Sequence, residues 1–109
     1  MLQNPGKALR KLLEEPGILV APGAYDGISA RLIARAGFKA ACLTGAGFSA
    51  TLLGQPDIGL LTMSEVVTHT GNICSAVDIP VIADADTGYG NALNVIRTVH
   101  EFEAAGLLP

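Results

Sequence analysis

Cysteine is scarce in this chain: there are two in 109 residues, and neither Cys42 nor Cys74 stands in a CxxC or Cys/His spacing. That excludes a disulfide framework and a structural zinc site, so both are read as reduced core thiols. Basic residues are also few, with seven Lys+Arg against ten Asp+Glu and a net charge of −3. They cannot build a footprint for nucleic acid. Long hydrophobic runs are missing as well, because Gly, Pro, Asp, Thr or Ser cuts every apolar stretch short of the roughly 20 residues a spanning helix needs. No membrane partner is expected. Met1 to Leu13 carries Lys7, Arg10 and Lys11 among its leucines, without the apolar core and small-residue cleavage site of a secretory leader. A cytoplasmic location is the expectation. What remains is 50% hydrophobic and only 16% charged, too apolar for a disordered chain and of a length that suits one domain.

Thirteen glycines punctuate the chain where one element gives way to the next. Asn4-Pro5 reads as an N-cap followed by proline at the first helical position, with Leu9, Leu12 and Leu13 at helical spacing until Pro16-Gly17 stops them. Ile18 to Ala21 is a short continuous apolar run closed by Pro22-Gly23, the pattern of a strand buried on both faces. Asp26 caps a helix with Ile28, Leu32, Ile33 and Ala36 on one face and Gly37 after its end. Residues 40–44 form the second strand. A short polar-apolar segment then leads to the capping box Thr62-Met63-Ser64-Glu65. The helix behind it buries Val66, Val67, Thr70, Ile73, Cys74 and Val77. Pro80 introduces a third strand over 81–84, and Asn91 caps a last helix with Val95, Val99 and Phe102 inward. A fourth strand should begin near Leu107.

Strands alternating with helices imply right-handed crossovers and a helix-covered parallel sheet, either an α/β barrel or a doubly wound sheet. A complete eight-stranded barrel takes about 250 residues, so three strands make roughly its first third.

Asp84 and Asp86 are two apart at the end of a buried strand, which directs both carboxylates to one side at the carboxyl edge where such proteins place their sites. Two carboxylates so close attract a hard cation such as Mg²⁺, which takes one or two protein carboxylates and keeps several waters. The plainer alternative is one capping and one solvated aspartate. Asp57, in the loop Gly54-Gln55-Pro56-Asp57-Ile58-Gly59, lies on the same edge if the crossovers are right-handed. Gly45-Ala46-Gly47-Phe48-Ser49-Ala50 matches the GxGxxA opening of a dinucleotide fingerprint. Its acidic partner, however, would be Glu65, in the first turn of a helix rather than at a strand end. The same turn suits a carboxylate or phosphate held by backbone N–H groups, or no ligand at all. His69 and His100 sit within helices as surface residues, and Ser49 lacks a nucleophile elbow.

Four segments, Gly23-Ala24-Tyr25-Asp26, Leu43-Thr44-Gly45-Ala46-Gly47, Leu53 to Gly59 and Asp84-Ala85-Asp86-Thr87-Gly88-Tyr89-Gly90-Asn91, together resemble the N-terminal third of the isocitrate lyase and phosphoenolpyruvate mutase superfamily. The nearest branches are 2,3-dimethylmalate lyase, 2-methylisocitrate lyase and oxaloacetate decarboxylase. The resemblance implies the first three β/α units of a (β/α)₈ TIM barrel after a short N-terminal helix, truncated at residue 109. It also implies an essential Mg²⁺ or Mn²⁺, homo-oligomers of the intact member, and a small 2-oxo or 2-hydroxy dicarboxylate cleaved at a C–C bond through a pyruvate enolate. Carried over by residue, Asp84 is the direct metal ligand, Asp86 and Asp57 hold waters on the metal, and Thr44, Gly45 and Ala46 bind the substrate. Cys42, Thr44 and Ala46 depart from residues common in the superfamily, which leaves the substrate open. The superfamily's Lys-Arg-Cys-Gly-His loop and the acid completing its metal shell fall beyond residue 109, so no catalytic acid or base is expected within the chain and the piece should be inactive alone. A phosphonate mutase, a nucleotide-binding module and a non-catalytic scaffold are the alternatives.

Overall fold

A computed structural model describes residues 2–107. Helix α1 (Pro5–Glu14) starts at Asn4, whose side chain accepts from the Lys7 amide at 3.1 Å. Helix α2 (Gly27–Arg35) starts at Asp26 in a reciprocal box: the carboxylate accepts from the Ser29 amide at 2.7 Å and Ser29 Oγ accepts from the Asp26 amide. Hydrogen bonds to the carboxylate, first from the Ser29 amide and next from the Ser29 side chain, hold the Asp26 carboxyl below the usual carboxylate range. Helix α4 (Met63–Ala76) is capped by Thr62 and α5 (Ala92–Ala104) by Asn91. All four caps satisfy amides that a helix cannot pair by itself.

Three parallel strands, β1 (Gly23–Ala24), β2 (Ala41–Leu43) and β3 (Val81–Ile82), lie side by side in chain order. The fold is α/β and corresponds to three β/α units of a (β/α)₈ barrel. The first strand is not at 18–21, as the apolar run predicts, but starts where the Cys42 amide reaches Pro22 O at 2.9 Å. The register explains the shift. With Gly23 opposite Cys42, Leu19 and Val20 would face Phe38 and Lys39, in the turn after Gly37 (φ +92°), where no ladder can form. Ile18 is accordingly 93% exposed.

The helices pack on one face of the sheet. Ala30 and Ile33 of α2, Val66, Thr70, Ile73 and Cys74 of α4, and Phe102 of α5 are buried with Ala41, Leu43 and Val81 of the strands. Alternation along β2 leaves Cys42 half-buried on the opposite face between Ala41 and Leu43, so only Cys74 is a true core thiol. Val99 is not inward as predicted but half-exposed beside β3, and the buried position on that side of α5 is Thr98. Leu107 is irregular, and the rest of the expected fourth strand lies outside the described residues. No helix among the described residues is long and apolar enough to cross a membrane.

The two thiols should separate chemically. Burial pushes Cys74 up to about 11, so at pH 8 roughly one thiol in a thousand is a thiolate, and it is shielded as well. In native buffer a thiol reagent should titrate one group, Cys42, quickly, and a second only after unfolding. Mass spectrometry of the labelled protein reads this directly, and prompt labelling at Cys74 would contradict the packing.

Candidate metal and substrate site

The carboxyl ends of β2 and β3 open onto a cleft of about 70 Å³ lined by Gly45, Ser49, Asp57, Gly59, Leu61, Val66, Asp84, Asp86 and Tyr89. That is room for several waters, at roughly 10–15 Å³ of such space each. Residues from three separate segments therefore meet at one edge: the start of α3 (Gly45–Phe48), the loop before α4, and the turn after β3.

Asp84 and Asp86 do not converge by strand alternation, because β3 ends at Ile82. A turn brings them together: Asp84 Oδ1 accepts the Asp86 amide at 2.9 Å, and the Gly88 amide reaches Ala85 O at 3.0 Å. Asp86 (φ +49°) and Tyr89 (φ +61°) are both left-handed without being glycine. Each such residue costs on the order of 1–3 kcal/mol and persists only where its surroundings fix it, a pattern concentrated at ligand sites.

Asp57, Asp84 and Asp86 are exposed to the cleft, and no lysine or arginine among the described residues forms an ion pair with any of them. The Tyr89 hydroxyl pKa is pushed up by burial first and by the charges of Asp86 and Asp84 next. Tyr89 thus stays protonated at neutral pH and remains a hydrogen-bond donor. Among the described residues no three acidic, His or Cys groups are close enough to grip one ion directly. The donor set fits a hard cation that binds one carboxylate and reaches the others through water.

Of the three substrate-binding residues expected, only Gly45 lines the cleft. Thr44 is the N-cap of α3, its hydroxyl accepting from the Gly47 amide at 3.0 Å, and Ala46 is exposed beyond the cleft wall. The sequence reading also missed that α3 exists and runs on into a π-helical turn, Ser49–Leu53, ended by left-handed Gly54. Ser49 is consequently 2% exposed against the cleft. Glycines at 45, 47 and 54 mask that helix in any propensity count; the available signal was Thr44, a capping residue three before Gly47. Glu65 accepts from its own cap, Thr62, at 2.9 Å, in the first turn of α4 rather than at a strand end. His69 is half-buried rather than on the surface, its ring 6.0 Å from Phe48, and His100 is exposed.

Gly45 makes a testable contact. A Cβ there would sit 2.9 Å from Asp84 Oδ2, the free end of a side chain, so alanine should move the carboxylate rather than the backbone. Gly45→Ala is expected to keep its melting temperature within a few degrees and to lose about tenfold in Mn²⁺ affinity, the usual size for disturbing a ligand's surroundings. Calorimetry and Mn²⁺ titration together check this, and a large thermal loss with unchanged affinity would contradict it.

The phosphoenolpyruvate phosphomutase model matches residues 9–108. The chain is 54% identical over 104 residues to 2,3-dimethylmalate lyase of Eubacterium barkeri, covering 95% of this chain and 36% of that one. It is 50% identical over 105 residues to 2-methylisocitrate lyase of Aeropyrum pernix, covering 96% and 34%. A crystal structure of phosphonopyruvate hydrolase with oxalate and Mg²⁺ superposes with a TM-score of 0.88 at 39% identity, covering 98% of this chain and 37% of that one. The chain thus spans about a third of the length of the relatives it matches.

Proposed function

Because the chain belongs to the phosphoenolpyruvate phosphomutase family, we propose that the complete protein is a Mg²⁺- or Mn²⁺-dependent carbon–carbon lyase acting on a small 2-oxo or 2-hydroxy dicarboxylate. The observation that carries this reading is the cleft in which Asp57, Asp84 and Asp86 meet with no lysine or arginine among the described residues paired to any of them. Asp84 would hold the ion directly, and Asp86 and Asp57 through water. A cation held there would supply Lewis-acid charge that stabilises negative charge developing on a substrate oxygen. The first amides of α3, at Gly45 and Ala46, have no partner within the helix and are free to hold a substrate carboxylate, with Thr44 fixing the turn that presents them. Tyr89, which also lines the cleft, would donate a hydrogen bond to the substrate. The acid and base that move protons would come from chain beyond residue 109, so these residues bind and orient. Free thiols at Cys42 and Cys74 suit a reducing cytoplasm.

Incubating the complete protein and Mg²⁺ with 2,3-dimethylmalate, 2-methylisocitrate and oxaloacetate should consume one of them. If all three survive while phosphonopyruvate reacts, the phosphonate chemistry of the same family is correct instead. NADH binding that persists in Asp84→Ala would favour a nucleotide module, which needs no such carboxylate.

A further inference from the structure

We propose that Thr98 is a positioning residue for the cation site: from inside α5 its hydroxyl holds the turn of residues 84–90 in the shape that presents Asp84 and Asp86. The inference rests on the cation reading above. Thr98 is 2% exposed, and its Oγ1 donates to Gly88 O at 2.8 Å. A threonine inside a helix ordinarily bonds the carbonyl four residues back, whereas this one reaches ten residues back, out of its own helix. Among the described residues no other side-chain hydrogen bond reaches the turn from outside it; the Asp84–Asp86 bond is internal.

The turn needs such a restraint. Asp86 and Tyr89 hold positive-φ backbone alongside the glycines at 88 and 90 that do the same, and free chain would not stay there. Packing adds the matching constraint: the space where a Gly88 side chain would begin is filled by the Val95 methyls, and that at Gly90 by Asn94. Successive turns of α5 therefore grip the segment by contact at Asn94 and Val95 and by a directional bond at Thr98. Contact alone sets distance; the bond to Gly88 O also fixes the orientation of the peptide two residues after Asp86. Groups that orient a ligand without touching the ion typically change its affinity 10- to 100-fold when removed.

The test is Mn²⁺ titration of the complete protein by electron paramagnetic resonance, with melting temperatures and amide exchange alongside. Thr98→Val should weaken Mn²⁺ about tenfold and speed exchange of the Asp86 and Gly88 amides in cation-free protein. Thr98→Ser, which keeps the hydroxyl, should stay within about threefold of wild type. Ile33→Ala, a core change far from the cleft, should lower the melting temperature and leave the affinity alone. Should valine not be accommodated, Thr98→Ala is read in the same way. Wild-type affinity in Thr98→Val, or equal losses in Thr98→Val and Thr98→Ser, overturns the proposal. Asp84→Ala keeps the two failures apart, because wild-type Mn²⁺ binding in that variant overturns the cation reading itself.

Discussion

Replacing Asp84 should abolish tight divalent-cation binding and lower turnover of the complete protein about a thousandfold or more, since a catalytic cation is worth several kcal/mol and each 1.36 kcal/mol is tenfold in rate. Asp84 does two jobs. One oxygen accepts the Asp86 amide, and the other lies against Gly45, close enough that a Cβ there would be 2.9 Å away. Alanine removes both the charge and the turn's internal bond. Asparagine separates them, because its amide oxygen still accepts from Asp86 while the negative charge is gone. Both variants should therefore lose the ion, but only Asp84→Ala should also quicken amide exchange at Asp86. Asp57→Ala should do less, about tenfold in affinity, if its link to the ion runs through water. Full turnover by Asp84→Asn in the presence of a strong chelator would remove the cation from the mechanism.

How much of this was legible beforehand follows the range of the interactions. Asn4, Asp26, Thr62 and Asn91 were readable as helix caps because each bonds an amide only two or three residues on. The start of β1 was not, because apolar character at 18–21 says nothing about where β2 begins, and the ladder is set by Cys42 meeting Pro22. Asp57 could be placed on the right edge from crossover handedness alone. Its entry into the same cleft as Asp84 depended on α3 and its π turn, which glycine-rich sequence concealed. Helical spacing predicts Val99 inward, yet spacing marks a face and not its partner. That face of α5 lies beside β3, where Val81, Ala83, Ala85, Phe102 and Leu107 border an open apolar groove.

A polypeptide limited to these 109 residues should accordingly show no lyase turnover and should associate in solution. Among the described residues the sheet has two unpaired edges, β1 and β3, each a row of N–H and C=O groups that pairs readily with another chain. Barrel closure is what removes such edges. The surface points the same way: the accessible area is 6604 Å², while surface–mass scaling gives roughly 5,700 Å² for a folded 11.2 kDa monomer. The excess, about 900 Å², is total surface that a closed fold of this mass would bury. Ile18, Ile28, Leu32, Leu93 and Ile96 are each more than half exposed, and Ile28 with Leu32 on α2 and Leu93 with Ile96 on α5 form apolar ridges at helical spacing. Association would hide those ridges and pair the strand edges without adding the acid and base proposed to lie beyond residue 109. Light scattering should therefore find oligomers without activity towards any candidate acid, and adding a polypeptide that carries the remaining strands should reduce their size and restore turnover. A compact monomer that turns over substrate by itself would show that the acid and base lie within these residues after all, and Tyr89, the protonated hydroxyl in the cleft, would be the first group to replace.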